Sequence, residues 1–206
     1  MAEGCTLLIL AGGHSRRMGR DKAALPARAS NPSRELSRRP TPTFVEHIAS
    51  RLLPVVDEVI VAGHASQGLG DNLRLVTDLF PGAGPLAGMH AGFLAASREH
   101  VWVVACDLPD VEPQLGALML RLATEVDAVV PTLDGQPQGV CAIYRRALAS
   151  HLGAMLERGE RSVKALLASI SVRWVAEPEL RLIDPDLRSL QNINTPSEYE
   201  EWLRRR

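Results

Sequence analysis

Four cations crowd one short turn near the start of the chain. In LAGGHSRRMGRDKAAL, Leu10 to Leu25, the residues Arg16, Arg17, Arg20 and Lys22 follow the pair Gly12-Gly13. Glycine allows positive φ and lets a ligand come close to the main chain. Successive free N–H groups on such a turn form an anion-binding nest, and arginine adds a planar fork of donors suited to phosphate oxygens. The chemistry suggested is a polyphosphate cradle; a solvated turn carrying charge for solubility is the bland alternative. The turn matches neither G-x-G-x-x-G nor G-x-x-x-x-G-K-[ST], so the common dinucleotide and P-loop fingerprints are excluded.

A second candidate stands at Asp107, directly after the apolar run VWVVAC. A carboxylate at the carboxyl end of a buried strand faces the ligand crevice of an open α/β sheet. Mg2+ takes one or two carboxylates together with phosphate oxygens and water, which makes Asp107 the best metal-ligand candidate. An aspartate capping the turn before Pro109 explains the same residue without a metal. Gly84-Pro85-Leu86-Ala87-Gly88 offers small residues at a helix start, where a base or ribose can approach the backbone. Simple turn punctuation explains it too. Arg161 lies at an expected helix start, where a cation is disfavoured by the helix dipole, and this suggests an anionic neighbour. Asn192 and Asn194 precede the last helix; each side chain both donates and accepts, and Thr195 is already available as the cap.

These residues need a scaffold, and the sequence supplies one. TLLIL, EVIVA, LRLVT, VWVVAC, DAVVPT, VCAIY and VRWVA read as strands, several of them apolar on both faces. Between them, helical spacing recurs at Phe44, Ile48 and Leu52; at Leu115, Leu118, Met119 and Leu122; at Leu148, Leu152, Met155 and Leu156; and at Val163, Leu166, Leu167 and Ile170. Thr195, Pro196 and Glu198 compose a capping box for a final helix. Such alternation predicts one α/β domain with a mostly parallel central sheet, its ligand at the carboxyl ends of the strands. One stretch breaks the rhythm. Ala27 to Thr43 holds three prolines, four arginines and few large apolar side chains. It reads as a basic, proline-rich surface loop or a lid over an anion.

Composition narrows the classes. The chain has 206 residues, 46% hydrophobic and 23% charged, with a formal net charge of -1. That suits one globular domain and argues against a nucleic-acid-binding surface. Cys5, Cys106 and Cys141 form no framework, and no run is long and apolar enough for a membrane span, so a cytoplasmic setting is expected. His14, His47, His64, His90, His100 and His151 show no metal-like spacing.

Leu10 to Lys22 carries L-A-G-G-x-S-x-R-M-G-x-D-K without a gap, and this resembles the signature of nucleotidyltransferases that use a nucleoside triphosphate. The double glycine is most similar to that of the molybdenum cofactor guanylyltransferases. Gly84 to Gly88 resembles the family's G-P-L-A-G, Cys106 to Pro109 its C-D-x-P, Gly159-Glu160-Arg161 its G-E-R, and Asn192 to Pro196 its N-x-N-T-P. The resemblance spans the chain apart from the Ala27 to Thr43 loop, which looks like an insertion. It implies a three-layer Rossmann-like nucleotidyltransferase fold and transfer of GMP from GTP to the terminal phosphate of molybdopterin, with Mg2+. It implies GTP contacts from Leu10, Ala11, Gly12, Gly13, Lys22, Asp78, Pro85, Leu86 and Asp107, and a metal on Asp107. It assigns leaving-group charge to Arg17 and Lys22, and molybdopterin contacts to Arg161, Asn192 and Asn194. For Asp78 a plain turn residue is the competing reading. The family's partners would be GTP, molybdopterin, and proteins that deliver or accept the cofactor. At Ala62 the family pattern has asparagine, so a base or ribose contact is missing there or is made by backbone. A cytidylyltransferase of the same cofactor, a sugar-phosphate nucleotidyltransferase and a non-catalytic nucleotide-binding module remain the alternatives.

Overall fold

A computed structural model describes residues 4–11, 22–27, 41–63 and 73–205. Gly12, Gly13, Arg16, Arg17, Arg20, His14, His64 and positions 28–40 of the basic loop lie outside the described residues.

Among the described residues, eight strands form one sheet: β1 (Cys5–Leu10), β2 (Glu58–Ala62), β3 (Arg74–Val76), β4 (His100–Ala105), β5 (Ala128–Leu133), β6 (Gln136–Pro137), β7 (Cys141–Arg145) and β8 (Val172–Val175). The spatial order is β3-β2-β1-β4-β7-β5-β6, with β8 beside β5. β3, β2, β1 and β4 run parallel, and β8 is parallel to β5. β7 is antiparallel to both β4 and β5, which returns β5 to the common direction. The expectation of a mostly parallel sheet therefore holds. The short β6 was not expected; it pairs back on β5 through Asp134-Gly135, both at positive φ, as a two-residue hairpin turn requires.

Two apolar layers explain the strand composition. Leu7, Ile9, Val61, Trp102 and Val104 face one cluster, covered by α1 (Phe44–Leu52), α3 (Pro113–Leu122) and α6 (Glu177–Arg181). Leu8, Leu10, Ile60, Val101 and Val103 face the other, beneath α2 (Pro85–Ala95), α4 (Ala149–Glu157) and α5 (Val163–Ala168). Alternate side chains point to opposite faces, so a strand covered on both sides is apolar throughout. α5 stops at Ala168, and Ile170 joins the same cluster beyond its end. α6, only five residues long, had no periodic signal to read.

The last helix, α7 (Pro196–Arg204), begins as expected: Thr195 accepts from Glu198 N, and Glu198 Oε2 accepts from Thr195 N at 3.0 Å. It packs through Trp202 and Tyr199 on Leu25, Phe44 and Ile193. The two ends of the basic loop meet there. Ala27 N donates to Pro42 O at 2.7 Å, Phe44 N donates to Leu25 O at 2.9 Å, and Pro26 bridges Thr43. Tyr199 OH donates to Pro26 O at 2.7 Å.

Candidate functional site

β1, β2 and β3 step outward to one side, and β4 then returns to the other side of β1. That reversal puts a topological switch point between β1 and β4, where open α/β sheets bind ligands. The strand ends are level: Leu10 lies opposite both Ala62 and Ala105, and Ala62 opposite Val76. Ala11, Gly63, Asp78 and Asp107 thus leave the sheet along one rim. Cys106 N donates to Leu10 O at 3.0 Å and Ala11 N to Ala62 O at 2.8 Å, which ties neighbouring ends together.

One side of the rim is built by close packing. Gly88, in the first turns of α2, rests against the end of β1. A Cβ added there would lie 3.1 Å from Leu10 Cδ2, 3.5 Å from Ala62 Cβ and 3.7 Å from Asp78 Oδ1. Leu10, Ala62, Asp78 and α2 therefore converge on one point. Gly92, one turn on, approaches β1 still more closely, 2.3 Å from Leu8 Cδ2 to a notional Cβ. Gly84 takes φ 71°, open only to glycine without strain, and sets the entry of α2. Pro85 is exposed at the first helical turn, whereas Leu86 is wholly buried in the core. The Leu86 side chain is therefore closed to a ligand at this turn, which leaves its backbone as the part such a ligand could meet. Gly92 escaped the sequence reading, although glycines four apart on a helix signal close approach to a neighbour.

The other side of the rim is tied by polar groups. Asp107 is half-buried after β4, and its carbonyl accepts from Ile193 N at 2.9 Å. That bond brings Asn192 and Asn194 beside the candidate metal ligand, as the motif spacing had left open. Asn192 is exposed; Asn194 N donates to Glu198 Oε2 at 2.6 Å. The start of α5, two residues after Arg161, lies near the same end of the sheet. Ala105 N donates to Val140 O at 2.8 Å, and Val163 of α5 stands 2.5 Å from a notional Cβ on Gly139. Arg161 itself is exposed and precedes the cap of α5, which is Ser162. The glutamate beside it resolves the dipole mismatch: Glu160 Oε1 accepts from the N–H groups of Arg161 and Ser162, at 2.9 and 2.8 Å. Lys22 opens a single 3-10 turn at Lys22–Ala24, with Ala23 buried in the core beyond it. Of the expected phosphate turn, Leu10 and Ala11 are thus placed at the rim, whereas Gly12, Gly13 and Arg17 fall outside the described residues.

Among the described residues no three His, Cys, Asp or Glu side chains form a metal cluster. The carboxylates Asp78 and Asp107 at the rim fit Mg2+ shared with phosphate oxygens and do not make up an all-protein zinc or calcium cage. Cys5 and Cys141 are no alternative nucleophiles, since burial pushes both thiols up to about 12. No helix among the described residues is long and apolar enough to cross a membrane.

This architecture is shared with known nucleotide-transferring proteins. The molybdopterin-guanine dinucleotide biosynthesis protein A of Archaeoglobus fulgidus superposes with a TM-score of 0.76 at 22% identity, over 97% of both chains. The molybdenum cofactor guanylyltransferase of Desulfosudis oleivorans is 35% identical over 198 residues, covering 95% of this chain and 93% of its own. A probable molybdenum cofactor guanylyltransferase of Pelotomaculum thermopropionicum is 34% identical, covering 94% and 89%. The model of the MobA-like NTP transferase domain matches residues 7–174, and the chain belongs to that family.

Proposed function

We propose that the protein transfers GMP from GTP to the terminal phosphate of molybdopterin, forming molybdopterin guanine dinucleotide and releasing pyrophosphate. The observation that carries this reading is the Asp107–Ile193 hydrogen bond at the switch point, which sets a carboxylate, an Asn-x-Asn segment and the end of β1 around one crevice. The names of the 34–35% identical relatives supply the substrates.

In the proposed reaction the guanine and ribose lie on the β1–α2 side. The backbone at Ala11 and at Pro85-Leu86 contacts them, and Asp78 hydrogen-bonds the nucleotide. Gly12, Gly13 and Lys22 hold the triphosphate. Asp107 is the residue that would hold Mg2+, which supplies neutralisation of triphosphate charge. Arg161, Asn192 and Asn194 orient the phosphate of molybdopterin. An oxygen of that phosphate attacks the α-phosphorus, the bond to the bridging oxygen breaks, and pyrophosphate carries away the electron pair. Arg17 and Lys22 stabilise the charge on it. A phosphate monoester is mostly anionic near neutral pH, so no general base is required. The protein contributes positioning and electrostatic stabilisation, as is usual in phosphoryl transfer. The setting is the cytoplasm, with cofactor-delivery or acceptor proteins as partners.

Pyrophosphate release, measured with molybdopterin and each of the four nucleoside triphosphates, tests the reading. GTP should be preferred. Equal rates with CTP would remove the guanine assignment, for which Ala62 offers no side-chain contact; tight GTP binding without turnover would favour a binding module.

A further inference from the structure

We propose that Asp184 is a positioning residue for the acceptor side of the site, and that it acts through the turn at Leu187–Ser189. Asp184 is only 8% exposed. Its two oxygens are taken by main-chain donors: Oδ1 accepts from Arg188 N at 3.0 Å and Oδ2 from Ser189 N at 2.8 Å. Among the described residues no cation pairs with it. A buried carboxylate is tolerated only when fully hydrogen-bonded, so this one dictates where those amides lie. The turn it organises is strained, with Leu187 in the left-handed region at φ 51° and ψ 36°. Leu187 N donates to Asp184 O at 2.9 Å, closing the turn from the other side.

The turn delivers two contacts to the loop that bears Asp107. Ser189, 1% exposed, accepts from Glu112 N through Oγ at 3.0 Å. Farther along the same segment, Ile193 N donates to Asp107 O. The loop from Asp107 to Glu112 is therefore gripped at both ends by the segment from Ser189 to Ile193, and that segment also carries Asn192 and Asn194. Arg51 braces the loop from behind, with Nε on Val111 O at 3.2 Å and an ion pair to Glu112 at 2.7 Å. One buried carboxylate thus sets the metal-ligand loop and the acceptor-binding segment together. Neither contact involves α2, β2 or β3.

This inference rests on the proposed metal role of Asp107, and the experiment separates the two. In Asp184→Asn, one main-chain N–H loses its acceptor. Mn2+ binding to the protein–GTP complex, read by electron paramagnetic resonance, should weaken about ten-fold, the usual consequence of disturbing a group behind a metal ligand. KM for molybdopterin should rise by a similar factor, while metal-free GTP binding stays as in the unmodified protein. Amide exchange should quicken at Glu112 and Ile193 but not at Ala11 and Gly63. Unchanged exchange at Glu112 and Ile193, or quickening that is uniform across all four amides, would overturn the inference. If Asp107→Ala binds Mn2+ normally, the metal role fails, and Asp184 is then judged on exchange and the molybdopterin KM. Should Asp184→Asn not fold, Ser189→Ala removes the acceptor for Glu112 N while leaving the buried charge satisfied. Faster exchange at Glu112 supports the inference there, and unchanged exchange overturns it.

Discussion

The two sides of the crevice are held by different forces. On the β1–α2 side, shape is set by what is missing: Gly88 and Gly92 have no Cβ, and the helix settles directly onto Leu10 and Leu8. On the β4 side, shape is set by the hydrogen bonds that Ile193 N donates to Asp107 O and Glu112 N donates to Ser189 Oγ. Packing tolerates no added volume, whereas a polar network tolerates size changes but not the loss of an acceptor. In the proposed reaction the first side takes the base and the second takes charge that must be met by placed polar groups.

Substitutions can break this contrast, the most damaging first. Asp107→Ala should keep its circular dichroism and lose about 10²-fold or more of its Mg2+-dependent transfer, since charge stabilisation by a bound metal is worth several kcal/mol. Near-normal turnover would remove Asp107 from the reaction. Gly92→Ala should act by volume alone. Its new methyl group meets Leu8 well inside contact distance, and urea unfolding should show a loss of about 1–3 kcal/mol. KM for GTP should rise while that for molybdopterin holds; equal effects on both substrates would erase the distinction between the sides.

Arg161→Ala reverses the test. Losing one charge-assisted contact should raise KM for molybdopterin about ten-fold and leave GTP binding and the melting temperature unchanged. The smallest effect is a pH dependence on the packed side. His90 of α2 is 8% exposed, with its ring edge-on to Phe80 at 5.6 Å. Burial holds its imidazole below the ordinary 6.5, partly offset by the carboxylate of Glu157. The unfolded chain binds the proton more readily, so this contribution to stability is present above pH 6.5 and is lost as pH falls below it. Denaturation midpoints should decline on acidification in the parent and decline less in His90→Gln; identical slopes would show that His90 carries no such linkage.

The same contrast explains what was legible in the sequence. Each of the seven strand runs recognised in the sequence overlaps a strand; β1, β4 and β7 were the plainest, because a strand covered on both faces is apolar throughout, whereas β3 and β8 are partly exposed. The cap at Thr195 and the helix after Gly84 were readable from local residue chemistry. The direction of β7 was not, since VCAIY packs equally well either way. Nor were the ties across the β4 side, because Glu112 and Ser189 are 77 residues apart and hydrogen-bonding partners at such a distance leave no periodic trace. Asp184 sits in IDPDL and resembles any turn aspartate until its burial is known. Arg161 looked misplaced at a helix start because the adjacent Glu160, whose carboxylate accepts from the N–H groups of Arg161 and Ser162, was read only as part of a motif.

The ladder at Pro26 and Thr43 has a consequence for how this chain can vary. Its hydrogen bonds hold Ala27 and Pro42 side by side, and α7 secures them through Tyr199. Whatever joins these two exits starts and finishes at the same place. Doubling the length of a flexible connection costs only about 0.6 kcal/mol in closure entropy. The doorway is therefore a natural port of variation, where residues can be added, shortened or exchanged for a reporter while the crevice keeps its form.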